Sequence, residues 1–166
     1  MYVPELDREL AVLSVAEAEA LTAEEPGRWN VISVSTDPDQ TPPLTGAQRL
    51  LRLAFDDVDG TWPEPGVVLA TKGDVLQALQ FARKATRQPL LIHCTAGISR
   101  SAALAWAVVY DRLNRRADAG SMALEIVRRV RPICAPNRHI LRLSIALLAK
   151  RPLERERVLE ELAAVL

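Results

Sequence analysis

At 166 residues the chain suits one domain spanning 1–166, with 49% hydrophobic residues for a core and 25% charged residues for a solvated surface. Net charge is zero and only 4% of residues are aromatic, so neither a basic footprint nor a stacking surface argues for nucleic acid. Two cysteines make no disulfide framework, the first residues lack the pattern of a secretory leader, and no apolar run approaches the ~18 residues of a membrane span. A soluble, cytoplasmic protein with no membrane contact is expected.

The neutrality hides a split: residues 1–83 hold 6 Lys/Arg against 14 Asp/Glu, a net of −8, whereas residues 84–166 hold 15 against 7, a net of +8. Two readings stand, a positive potential biased toward the second half that captures anions, or an interleaving of the halves that erases the dipole. The arginine-heavy, lysine-poor, alanine-rich composition points to a GC-rich bacterial genome.

In chain order, Ala11 to Leu13 reads as a strand and the alanine- and glutamate-rich Ser14 to Glu25 as a helix closed by Pro26-Gly27. Trp29 to Val34 reads as a second strand. Thr36 to Gly46 carries prolines and is a loop, after which Leu50 to Phe55 resumes a strand ending in Asp56-Asp57-Val58-Asp59-Gly60. Thr61 to Gly66 is a proline-rich loop, and Val67 to Ala70 fits no single element. Asp74 is the expected N-cap of a helix reaching about Arg87.

Gln88 to Ile92 follows as a short buried strand, and Ser99 to about Arg116 shows apolar residues at helical spacing. Ser121 to Arg131 is a helix stopped by Pro132, and Asn137 to Ala149 is another. The last segment aligns Val158, Leu159, Leu162, Val165 and Leu166 on one face, a stripe that docks on its own domain or, less in keeping with such stripes, on a second copy. Strands alternating with helices indicate an α/β fold, a single central mostly parallel sheet of about four to five strands flanked by helices.

Between the buried strand and the long helix lies His93-Cys94-Thr95-Ala96-Gly97-Ile98-Ser99-Arg100-Ser101. A loop entering a helix N-terminus presents free backbone N–H groups to an anion, and Gly97 supplies the freedom a tight curl requires. Thr95, Ala96, Gly97, Ile98, Ser99 and Arg100 would then wrap a phosphate or other oxyanion above Cys94. A free thiol with a pKa of ~8.5 is mostly protonated at neutral pH. The helix end, the convergent N–H groups and Arg100 all favour the thiolate, while His93 is placed to steady the loop backbone and Ser101 to help the thiolate leave. Arg100 carries the planar fork that grips two phosphoryl oxygens.

These residues match the His-Cys-x-x-Gly-x-x-Arg-Ser signature, and the chain resembles the cysteine-dependent protein tyrosine phosphatases, especially the small dual-specificity type. Asp56-Asp57, Val130-Arg131-Pro132 and Pro136-Asn137 look like further landmarks of that family. The resemblance implies a phosphatase fold and a two-step phosphocysteine mechanism without cofactor or metal. In it Cys94 is the nucleophile, Arg100 holds the phosphoryl group, and an upstream aspartate, Asp57 ahead of Asp56 and Asp59, is the general acid. The implied substrate is a phosphorylated protein bearing phosphotyrosine, with phosphoserine or phosphothreonine also within reach; from the terminal stripe, a monomer or weak dimer is expected.

No match to the aromatic loop of strictly tyrosine-specific relatives is present, and the neutral Thr95, Ala96, Ile98 and Ser99 argue against inositol polyphosphates. Alternatives are a phosphate-binding module of weak or no activity, a phosphoinositide phosphatase, and a rhodanese-type sulfurtransferase, whose loop the His93, Gly97 and Arg100-Ser101 frame fits poorly. Cys134 reads as a buried structural cysteine more readily than as a resolving thiol, and Asn137 as a helix cap more readily than as a support for the catalytic water.

Overall fold

The structure is a computed structural model that describes residues 1–37, 39, 42–59, 64–113 and 116–163. In chain order it comprises β1 (Tyr2–Val3), β2 (Arg8–Ser14), α1 (Val15–Glu24), β3 (Asn30–Ser35), β4 (Arg49–Ala54) and α2 (Lys72–Lys84). These are followed by β5 (Leu90–Cys94), α3 (Arg100–Leu113), α4 (Ala119–Val130), α5 (Arg138–Leu148) and α6 (Pro152–Ala163). The strands form one sheet in the order β1-β2-β5-β3-β4, parallel throughout except for β1, which pairs antiparallel with β2 at the edge. This is the mostly parallel, helix-flanked sheet that the alternation of elements predicts.

Side-chain alternation along the strands divides the interior. Leu10, Val12, Ile32, Val34, Leu90 and Ile92 face a large core shared with α2 to α6, while Ala11, Val31 and Leu91 face a smaller one closed by Ala18 and Trp29. Helix starts are chemically marked: Ser14 and Glu17 form a capping box at α1, and Thr71 and Asp74 form one at α2. Thr71, not Asp74, is therefore the N-cap of α2. The predicted cap is instead the third helical residue, whose carboxylate returns to the Thr71 backbone N–H.

The two-residue β1 and the short 3-10 turn Pro4–Leu6 carry no periodicity and are absent from the sequence-based elements. Val158 and Leu162 of α6 are buried against the domain, while Leu159 is 44% exposed. Positions 38, 40 and 41 of the predicted first loop, 60–63 of the turn and proline-rich loop, 114–115 at the predicted end of α3, and Val165 and Leu166 of the apolar stripe lie outside the described residues. No described helix is long and apolar enough to cross a membrane. Ion pairs Arg131–Glu17, Arg129–Glu5 and Arg87–Asp7, each at 2.9 Å, join the basic half of the chain to the acidic half. Folding interleaves the two.

Candidate active site

Parallel pairing of β5 between β2 and β3 brings the carboxyl ends of the central strands together, and the loop 94–100 leaves from that edge into α3. The loop is held by its carbonyls. Thr95 O accepts from Val15 N (3.3 Å), Ala96 O from Arg131 Nη2 (3.4 Å), Ile98 O from Ala135 N (3.0 Å), and Ser99 O from both Ala103 N (3.0 Å) and Asn137 N (3.3 Å). With these carbonyls committed outward, no backbone N–H of residues 95–99 donates to a carbonyl among the described residues. That of Gly97, with the N–H of Ser101, bonds the Cys94 thiol instead. Gly97 sits at φ +71°, where a Cβ would lie 2.4 Å from the Leu13 carbonyl carbon and 2.5 Å from Ser14 N, so a side chain there meets backbone.

Cys94 lies at the base of this cradle, 1% exposed, with Thr95 and Ala96 on the exposed rim. Its Sγ is 3.2 Å from Ser101 Oγ. Burial opposes the thiolate, but hydrogen bonds from the Ser101 hydroxyl and from the Ser101 and Gly97 backbone, with the Arg100 charge, outweigh it and hold the thiol below its ordinary value. Arg100 is 4% exposed and is gripped from below: Nη1 donates to Phe55 O (2.8 Å) and Thr36 Oγ1 (3.2 Å), and Nη2 to Thr95 Oγ1 (3.0 Å). Its Nε is buried without a hydrogen-bond partner among the described residues and stands 3.9 Å from Asp57 Oδ2. The fork is oriented by the ends of β3 and β4 with one edge still unsatisfied.

The three aspartates after β4 diverge. The Asp57 carboxylate faces the loop and accepts from Ser99 Oγ (2.6 Å) and Asn137 Nδ2 (2.8 Å). Asp56 accepts from Val68 N (2.8 Å), and Asp59 from Arg138 N (2.6 Å). Asn137 serves two ends at once, since its Oδ1 also caps α5 by accepting from Ile140 N (3.0 Å). The cap reading of Asn137 holds, and the grip on Asp57 comes in addition. Arg131 bridges the loop to α1 through Ala96 O and Glu17, whose carboxyl it draws down to about 2. Cys134 is half-buried rather than buried, and desolvation pushes its thiol up.

His93 is 1% exposed, and neither ring nitrogen reaches a hydrogen-bond partner among the described residues, so the expected loop-fixing bond is not formed by the ring. Desolvation brings its imidazole down to about 4, a weak contact with the Cys94 backbone offsetting only part of this and the Arg52 charge adding to it. Because the folded pKa lies below the unfolded one, the unfolded chain takes up a proton that the native chain does not. Stability is then full above pH 6.5 and falls as pH drops toward about 4. Denaturant melts at pH 7 and pH 4.5 should show wild type losing about 2–3 kcal/mol more than His93→Asn. Equal losses would show that His93 does not titrate this way.

Thr36, the Phe55 carbonyl and Ser99 as a partner of Asp57 were not foreseen from sequence. No local pattern marks these contacts: strand order brings Thr36 and Phe55 to Arg100, and brings Asp57 to Ser99, which already lies in the loop. No group of three or more His, Cys, Asp or Glu side chains among the described residues is arranged to hold a metal.

No curated protein sequence matches the chain. Among solved structures, human DUSP28 superposes with a TM-score of 0.62 at 21% identity, over 89% of this chain and 90% of its own. DUSP15 does so at 0.61 and 20% identity, over 91% and 90%. PTPMT1 in complex with PI(5)P does so at 0.57 and 20% identity, over 95% of each chain. These likenesses show a shared fold. The protein-tyrosine phosphatase family profile matches residues 53–136, from the end of β4 just before Asp56-Asp57 through the cradle to Pro136. Matched over half its length by that family, the chain belongs to the protein-tyrosine phosphatases.

Proposed function

We propose that the chain hydrolyses phosphotyrosine in proteins, with phosphoserine and phosphothreonine as slower substrates, through a phosphocysteine intermediate. The observation that carries this reading is the loop 95–99, whose backbone N–H groups have no carbonyl acceptor among the described residues, beside Cys94 and the buried Nε of Arg100. A phosphoryl group there meets donors on its equatorial oxygens while the thiolate attacks phosphorus from below. Asp57 protonates the leaving oxygen and, as carboxylate, then takes a proton from the water that cleaves the phosphocysteine. Ser101 stabilises the departing thiolate, and Ser99 and Asn137 position Asp57. Loop side chains without added positive charge favour a phosphorylated side chain over a phosphoinositide, although PTPMT1 has been seen with PI(5)P.

Asp57→Asn tests the acid. A phenol leaving group with a pKa of ~10 needs the proton, so kcat on a phosphotyrosyl peptide should fall about 10²–10³-fold and far less on a nitrophenyl phosphate. A general acid works protonated, so the fall of wild-type kcat/KM at rising pH should vanish in the variant. An equal loss on both substrates with an unchanged profile, or the effect appearing in Asp56→Asn instead, would remove Asp57 from that role. Faster turnover of a soluble phosphoinositide than of the phosphotyrosyl peptide would reverse the substrate ranking.

A further inference from the structure

At the end of the sheet opposite the Cys94 cradle lies a cavity of about 680 Å³ between the start of β2 and the last turns of α2 and α3. Its wall holds Arg8, Arg83, Arg87 and Arg112 against only two acids, Asp7 and Asp111. Both acids are taken: Asp111 is clasped by Arg83 through two bonds of 2.8 and 2.7 Å, and Asp7 pairs with Arg87 at 2.9 Å and accepts from Tyr2 Oη at 2.8 Å. Two guanidinium groups remain. Arg8 is only 6% exposed, spends Nη2 on Ala82 O (2.8 Å), and leaves Nε and Nη1 shielded from solvent with no partner among the described residues. Arg112 is exposed and makes no hydrogen bond or ion pair with the described residues.

A cation stripped of water and lacking a counter-charge is costly, and here a second cation stands beside it. Desolvation first, and then the Arg112 charge, push the Arg8 guanidinium below its ordinary value. An anion in the cavity, which both side chains line, relieves both. Two unmatched charges fit a dianion, the guanidinium fork suits phosphoryl oxygens, and the volume falls within the usual range for small-ligand sites.

We propose that this cavity is a second anion site, separate from the Cys94 cradle, that takes the dianionic phosphate group of a small molecule, either inorganic phosphate or a phosphorylated metabolite.

Equilibrium dialysis of labelled inorganic phosphate and of glucose 6-phosphate against the Cys94→Ser chain, which cannot turn over the second probe, tests it. The expected result with inorganic phosphate is two sites per chain, one of them weakened at least tenfold by Arg112→Glu and by Arg8→Met. Arg112→Glu is exposed and is expected to fold, and in the Cys94-containing chain it should leave aryl phosphate turnover unchanged. Binding of glucose 6-phosphate tenfold tighter than phosphate at this site identifies the organic phosphate as the ligand, and equal or weaker binding identifies phosphate itself. A single saturable site for both probes, or a second site that persists in Arg112→Glu, overturns the proposal.

Discussion

Cys94→Ser is expected to lower turnover of an aryl phosphate by at least about 10⁴-fold while leaving binding of the ester within a few-fold of wild type. The substitution removes no volume of consequence from a site that is 1% exposed, and it keeps a polar atom opposite Ser101 Oγ. What is lost is the thiol that these surroundings draw toward its anion. Every group that draws the Cys94 thiol down, namely the Ser101 hydroxyl, the Ser101 and Gly97 N–H groups and Arg100, acts on a thiol only some two units above neutral pH. A serine hydroxyl lies far beyond their reach, so the same surroundings cannot make it a nucleophile. The carbonyl contacts that shape the cradle do not pass through the sulfur, and phosphate affinity should survive. Wild-type turnover should also persist in EDTA. Residual activity within tenfold of wild type, or loss on chelation, would rule out attack by the thiolate.

Gly97→Ala should be nearly as damaging by a different route. A left-handed conformation costs a non-glycine residue about 1–2 kcal/mol, and the added Cβ would press on the backbone of Leu13 and Ser14, which cannot rotate aside. Overpacking of a closed site adds about 1–3 kcal/mol, giving a total destabilisation of about 2–5 kcal/mol. Relief by moving the loop about 1 Å would misplace donors and thiolate together, at a cost of about 10²-fold in kcat/KM. Gly66→Ala is the matched control: its φ of +91° is equally left-handed, but nothing among the described residues stands within 4 Å of the added carbon. Its melting temperature should drop by the conformational part alone, with activity intact. Equal behaviour of the two variants would mean that the contact between loop and β2 does not exist in solution.

These two residues were legible in the sequence because their chemistry lies in one unbroken segment, where spacing is set by the chain itself. The same holds for the strand before it and the helix after it. Asp57 was singled out only by likeness. Three nearby aspartates are equivalent on paper, and they separate in space because Val68 engages Asp56, the α5 N-terminus engages Asp59, and Ser99 with Asn137 engages Asp57. Thr36 and the Phe55 carbonyl, which aim Arg100, come from just past β3 and β4, 64 and 45 residues upstream, and their meeting is a product of sheet order. The α2 cap was misassigned for a local reason: Thr71 and Asp74 are both good caps, and reciprocal bonding makes each look like one. Arg8 shows an opposite limit, since an arginine opening a strand gives no sign that its charge will be buried.

The position of β5 has a consequence for how the chain must fold. The strand that ends in Cys94 lies between β2 and β3, both synthesised earlier, and β2 and β3 do not pair with each other. Until residue 94 has emerged, their facing edges have no ladder partner and present open N–H and C=O groups to other chains. Insertion of β5 closes contacts some 60 to 80 residues long, a slow class of event, and the carbonyl anchors from Arg131, Ala135 and Asn137 come later still. A nascent chain is therefore most exposed to aggregation just before it can complete the cradle, and folding yield in the cell should be governed by the central strand rather than by the helices that cover it.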